Sequence, residues 1–192
     1  MEHQVTLQRG DITLRPLDIG DAADLRALVD ADMWAGNSQP LPATDEAMAA
    51  LLATQIEDPS SLAFAVVHNE RLVGRSILYD LVPRVKVEIG NTIYARAVWG
   101  SAVNPTCKLL LLRYCFEDLG VQRVALRCDH RNARSHRAIR RLGARFEGTL
   151  RNFRPAADGT LADVDYFSIL PDEWPAVRRG LEARLSGAGI AP

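Results

Sequence analysis

The sequence predicts one α/β (α+β) domain, a mixed central sheet with helices on both faces, and three observations predict it. The run Leu62–His68, the pair Asn69-Glu70 and the run Arg71–Val82 read as a β-hairpin. An apolar helical stretch then stands between a strand opening at Val85 and another at Val121–Asp129, and a crossover helix makes its flanking strands parallel. Phe146–Arg154 and Leu161–Leu170, joined by Pro-Ala-Ala-Asp-Gly, read as a second hairpin. The order is β-α-α-β-β-β-α-β-α-β-β.

In chain order, Ile12 to Leu17 is a short first strand stopped by its proline, and Asp21 to Val29 a helix with acids in its first turn. Pro40 and Pro42 then interrupt regular structure, and Thr44 caps a second helix through Ile56. Between these helices Met33-Trp34-Ala35-Gly36 is an irregular aromatic segment, with Trp34 read as packed over the core edge, against a substrate-contacting role. The third antiparallel strand comes after Pro83 with Val85, Val87 and Ile89 alternating on one face. The helix after it runs to Leu119, and its stripe Cys107, Leu110, Leu111, Tyr114, Cys115 faces the core. Asn132–Gly143 is a short helix capped by Asn132 and ended by Gly143. A terminal helix starts at Pro171–Trp174, and residues 186–192 read as a flexible tail on a single domain spanning 1–192.

At 192 residues, with 47% apolar and 24% charged residues, the chain has enough apolar content for a full core. A formal net charge of -1 gives no bias toward nucleic acid or membrane. Cys107, Cys115 and Cys128 are odd in number, lie inside expected elements and form no CxxC pair, which suits a reducing cytoplasmic setting. The start MEHQVTLQRGD has neither the basic nor the apolar region of a signal peptide. His3, His68, His130 and His136 lack metal-ligand spacing, and His136 on its Arg-rich helix reads as solvated.

Chemistry concentrates between Val85 and Leu119. Trp99-Gly100-Ser101-Ala102 is a small-residue turn between strand and helix, with Asn104 as N-cap and Pro105 as first helical residue. The first amides of a helix lack carbonyl partners and lie at the positive end of its dipole, and Gly100 lets an anion approach the main chain. This reads as a site for a diphosphate, against a plain strand-to-helix turn with nothing bound. There is neither a GxGxxG nor a Walker lysine motif, which weighs against a nucleotide-binding regulator.

Two motifs then carry a resemblance. Gly100-Ser101-Ala102, with Arg96 ahead of it, is similar to the Gln/Arg-x-x-Gly-x-Gly/Ala pyrophosphate loop of the GNAT superfamily of N-acetyltransferases, although Ala97 stands where Gln or Arg is usual. Asn132-Ala133-Arg134-Ser135, followed by Arg140-Arg141-Leu142-Gly143-Ala144 and Glu147-Gly148, resembles the Asn-x-x-Ser helix of the RimJ/RimL-like branch, and the likeness extends over nearly the whole chain. The resemblance implies a GNAT-like fold with a splayed parallel strand pair, and acetyl-CoA as donor to a primary amine on a protein N-terminus or a small molecule. It implies a monomer or homodimer with no nucleic-acid or membrane partner. A non-catalytic acyl-CoA-sensing module is the alternative.

Acetyl-CoA has a diphosphate, a pantetheine arm and a thioester. The loop Arg96, Trp99, Gly100, Ser101, Ala102, Val103, Asn104 is the expected holder of the first. Gly90-Asn91 is placed to bulge and start the splay, so that Thr92 and Ile93 offer backbone to the arm. Asn132 serves the cofactor amides or caps its helix, and Arg137 is the adenosine-phosphate candidate among the basic residues 127–141. Transfer needs an oxyanion donor, assigned to amides near Ile93, a proton for the thiolate, assigned by the motif to Ser135, and a base. Glu88, mid-strand and facing away from Val87 and Ile89, is the first choice for base, against a structural role paired to Lys86, Arg84 or a neighbouring strand. Glu147, Asp129, Asp163 and Asp165 are lesser candidates. Ribosomal-protein members of the branch carry a Glu where Arg154 stands here, and often a Tyr at Phe167.

Overall fold

A computed structural model of the chain describes residues 3–187. Eight strands form one sheet: β1 (Leu7–Arg9), β2 (Ile12–Pro16), β3 (Leu62–His68), β4 (Arg71–Val82), β5 (Lys86–Tyr94), β6 (Arg123–Asp129), β7 (Arg145–Pro155) and β8 (Leu161–Ile169). Their order across the sheet is β1-β2-β3-β4-β5-β6-β8-β7, and the β5–β6 pair alone is parallel. The helices are α1 (Ala22–Leu28), α2 (Ala31–Trp34), α3 (Asp45–Glu57), α4 (Val103–Arg113), α5 (Ala133–Leu142) and α6 (Trp174–Leu185).

Local chemistry accounts for the boundaries. Asn69 and Glu70 both take positive φ, so a two-residue turn of matching twist closes the β3–β4 hairpin. The Thr44 hydroxyl accepts the Ala47 amide at 3.2 Å and starts α3. Asn132 accepts the Ser135 amide at 2.9 Å to start α5, and Gly143, in the left-handed region, ends it. On one face of the sheet α4, α5 and α6 pack on Phe64, Leu78, Val87, Ile89, Leu126 and Phe167. On the other, α1 to α3 bury Trp34, Met48 and Leu52 against Ala63, Ala65, Ile77 and Ile93.

Several expectations change. The chain has a further strand, β1, paired to β2. Met33 and Trp34 belong to a single helical turn whose N-cap, Asp30, accepts the Met33 amide. Val85 is 54% exposed in the β4–β5 turn, and the strand begins at Lys86. The crossover helix starts at Val103, not after Asn104: Ala102 is its N-cap, whose carbonyl accepts the Thr106 amide at 3.0 Å, and the Ser101 hydroxyl accepts the Val103 amide at 3.2 Å. The same helix gives way at Tyr114–Asp118 to a wider π turn instead of continuing to Leu119. His136 is half-buried, with Nε2 3.6 Å from Asp165. Of the expected tail, 188–192 lie outside the described residues, while Ser186 still donates its amide to Glu182. All three cysteines are free and buried. Among the described residues no helix is long and apolar enough to cross a membrane, and no group of His, Cys, Asp and Glu is arranged to hold a metal.

Candidate active site

The centre of the sheet opens. β5 and β6 pair only through Lys86–Arg123, Val87–Val124 and Glu88–Ala125. Beyond Glu88, β5 follows β4 out to Tyr94, while β6 follows β8 through Asp129. Ile89–Tyr94 and Leu126–Asp129 therefore face each other without a ladder. The cause is local: Asn91, at φ 48°, and Thr92 together oppose the single residue Ser76, a bulge that turns β5 aside. It also moves Thr92 to the α4 side and Ile93 to the α1–α3 side. Gly90 permits the turn, since a Cβ there would lie 2.7 Å from the Tyr79 ring.

Above the gap, the β5–α4 loop presents unpaired amides. Gly100 takes φ 75°, open to glycine, and Ser101 is pinned by its amide and hydroxyl to the Val98 carbonyl. The amides of Gly100, Ala102 and Asn104 have no protein acceptor among the described residues. Three donors at the positive end of an 11-residue helix, beside two parted strand edges, fit a diphosphate with an amide-bearing arm.

A cavity of about 710 Å³ lies beside the splay. Its walls are α2 and the following Ala35, Gly36, Pro40 and Leu41, then Arg96 and Trp99, the turn Asp129–Arg134, and Ala157 with Asp158. Trp99 is stacked between guanidiniums, Arg134 at 3.9 Å and Arg96 at 4.8 Å from the ring centre. Arg96 bonds Asp30 at 2.7 Å, so this stack joins α2, the loop and the start of α5. Asp129 is buried and gripped by Arg131, which holds its carboxyl below the usual range.

Thus Arg96, Trp99 and Asn132 line the cavity, and Gly100 to Asn104 form the loop above. Thr92 borders the gap, but the main chain of Ile93 is turned to β4 instead: Ala95 donates to the Val73 carbonyl, Ile93 pairs with Arg75 two residues along the same ladder, and Tyr94 between them faces the gap. Ser135 stands in the first turn of α5 beside the Cys128 thiol. Arg137 is exposed and has no charged partner among the described residues. Glu88 is the last paired residue, at the vertex, and only 5% exposed. It accepts from Tyr79 and pairs with Arg127 at 2.8 Å, not with Lys86, which goes to Asp80, nor Arg84. Burial pushes the Glu88 carboxyl up, with Arg127 and Tyr79 opposing. The basic run disperses: Arg127 goes to Glu88, Arg131 to Asp129 and Asp158, and Arg134 to Trp99, whereas Arg140 and Arg141 line a separate groove with α6. Sequence reading missed Tyr79, Arg75 and Lys108; the one signal was a lone lysine inside the apolar run Thr106–Leu112.

A family profile described as Acetyltransferase (GNAT) domain matches residues 11–145. The chain belongs to the GNAT acetyltransferases. A T. thermophilus structure assigned as an acetyltransferase is 35% identical, covers 94% of this chain and 96% of its own, and superposes with a TM-score of 0.87. A GCN5-related N-acetyltransferase from Brucella melitensis is 26% identical over 98% and 89% of the two chains, with a TM-score of 0.89. No curated protein matches the sequence. As a GNAT member the chain is an N-acetyltransferase that uses acetyl-CoA, and structures similar in fold were determined with coenzyme A.

Proposed function

We propose that this GNAT enzyme acetylates the α-amine of a peptide or protein N-terminus, as a RimJ/RimL-like member, and takes the acceptor from the cavity beside α2. The charge balance of that cavity carries the reading. Three carboxylates line it and all are engaged: Asp32 by Arg96 at 3.7 Å, Asp129 and Asp158 by Arg131 at 2.9 and 3.3 Å. Arg134 supplies a third guanidinium, so the lining is neutral and offers no surplus negative charge to a polyamine. The opposite wall, Ala31, Ala35, Gly36, Pro40 and Leu41, is small and apolar, suited to an extended backbone with a modest side chain. A Vibrio cholerae spermidine N-acetyltransferase and a Mycobacterium smegmatis RimJ are each 20% identical and share the fold.

In this reading the loop amides of Gly100, Ala102 and Asn104 hold the diphosphate, with Arg96, Trp99, Ser101 and Val103 shaping the loop and Arg137 reaching the adenosine phosphate. Thr92 and Tyr94 offer backbone to the arm, and Asn132 orders the turn opposite. The neutral amine nitrogen attacks the thioester carbon, forming C–N as the carbonyl electrons move to oxygen, which faces an amide beside Ile93 on the open edge of β5, that of Thr92 or Tyr94. The C–S bond then breaks and sulfur keeps the electron pair; Glu88 receives the amine proton and releases it to solvent, while the Ser135 hydroxyl passes its proton to sulfur and regains one from solvent, so both groups return to their starting state. An amine panel with acetyl-CoA, read by released thiol, tests the acceptor. Peptides with small N-terminal residues are expected to outrun spermidine by at least about tenfold in kcat/KM. Faster turnover of spermidine would overturn the assignment.

A further inference from the structure

Two cations are buried on either side of Ile93 with no carboxylate among the described residues to neutralise them. Arg75, the cross-strand partner of Ile93 on β4, is 2% exposed. Its guanidinium lies over the Trp34 ring, Nη1 donates to Gln55, and Nη2 has no hydrogen-bond partner. Lys108, on α4, is 7% exposed and approaches from the opposite face: Nζ donates to Thr92 Oγ1 at 3.2 Å, which in turn meets Ser76 Oγ at 2.7 Å. The nearby Cys107 and Cys115 thiols are pushed up by burial and supply no anion. Burial holds the Lys108 ammonium down to about 8 and the Arg75 guanidinium down to about 10.

A buried cation without a counter-charge is costly, and an apolar side chain of similar length in its place is commonly neutral or stabilising. Folding therefore gives no reason to keep two of them around one residue. Acetyl transfer does, because negative charge develops at the oxygen beside Thr92 and Tyr94, the neighbours of Ile93 on the open edge of β5, and then at the departing sulfur, in a gap walled by low-dielectric core. We propose that Arg75 and Lys108 are buried positive charges, one on each face of the sheet, whose field at the splay favours the oxyanion and the leaving thiolate without touching either. The inference rests on the acetyl-transfer reading of the splay, and it makes both side chains electrostatic supports of the reaction, not parts of the binding loop.

The test is the thiol of bound coenzyme A, followed by thiolate absorbance against desulfo-coenzyme A in the parent, Lys108→Met, Arg75→Met and Arg75→Lys. In the parent the bound thiol is expected about one pKa unit below that of free coenzyme A. Each Met variant moves it back up and lowers kcat about tenfold, with coenzyme A affinity within about twofold and the melting temperature held or raised. Arg75→Lys keeps the parent value. A bound thiol whose titration is the same in the parent and both Met variants would overturn the proposal while leaving the acetyl-transfer reading intact. Failure of the parent to bind coenzyme A would remove that reading and the proposal with it. Insolubility of both Met variants would also overturn it, by showing that these charges hold the fold.

Discussion

At Glu88 the sheet sets a carboxylate on the last rung before β5 and β6 separate, bonded to Tyr79 and paired with Arg127. Tyr79 in turn rests on Gly90, where any side chain would push the ring away and loosen the carboxylate. The sequence pointed to this residue because an acid amid alternating apolar residues needs a wet cleft or a partner, and the fold supplies both a partner and a neighbouring gap. Burial raises the Glu88 pKa, which suits a proton acceptor. Glu88→Gln keeps the size and the Tyr79 contact but loses the proton site. Its kcat is expected to fall about 100-fold or more with acetyl-CoA affinity nearly unchanged. Steady-state rates and calorimetry check this, and equal rates in variant and parent would take Glu88 out of the mechanism. Lys108 and Arg75 were not legible as functional, because burial without a counter-ion is a property of their surroundings in three dimensions.

The β5–α4 unit reads differently from its residues taken singly. A strand, a small-residue turn and a helix start were evident in the sequence, yet the helix begins one residue before Asn104, with Ala102 at its N-cap and the Ser101 hydroxyl taking the Val103 amide ahead of it. The shift follows from Ser101, whose hydroxyl both donates to Val98 and accepts from Val103, a pairing that pattern alone does not rank above an Asn-Pro start. The consequence is that Gly100, Ala102 and Asn104 are the amides left open. Gly100→Val forces a β-branched residue into φ 75°, although a Cβ there meets nothing within 4 Å. The fold is therefore expected to survive with a loss of about 1–2 kcal/mol, while the coenzyme A Kd rises about tenfold or more. Denaturation and calorimetry separate the two effects, and unchanged binding would defeat the loop assignment.

Across the whole molecule, β1 to β5 form one antiparallel run and β6, β8 and β7 another, and three parallel pairs at the vertex join them within the sheet. A ligand in the gap supplies main-chain bonds to both edges, so coenzyme A at about a hundred times its Kd should stabilise the fold by about 2.7 kcal/mol. That corresponds to a rise of roughly 5–10 °C in Tm, measurable by calorimetry, and a Tm indifferent to coenzyme A would contradict the site. The sequence by itself determined the order of the main elements, the hairpins, the crossover and the small-residue loop ahead of α4, because turn chemistry, capping residues and apolar spacing act over a few neighbours. Only the tertiary structure decided that Arg127 meets Glu88, that Trp99 is clasped by Arg134 and Arg96, and that two uncompensated cations bracket Ile93. Those pairings join residues far apart in the chain, and their strength depends on burial and distance, which exist only once the sheet and its two helical layers are assembled.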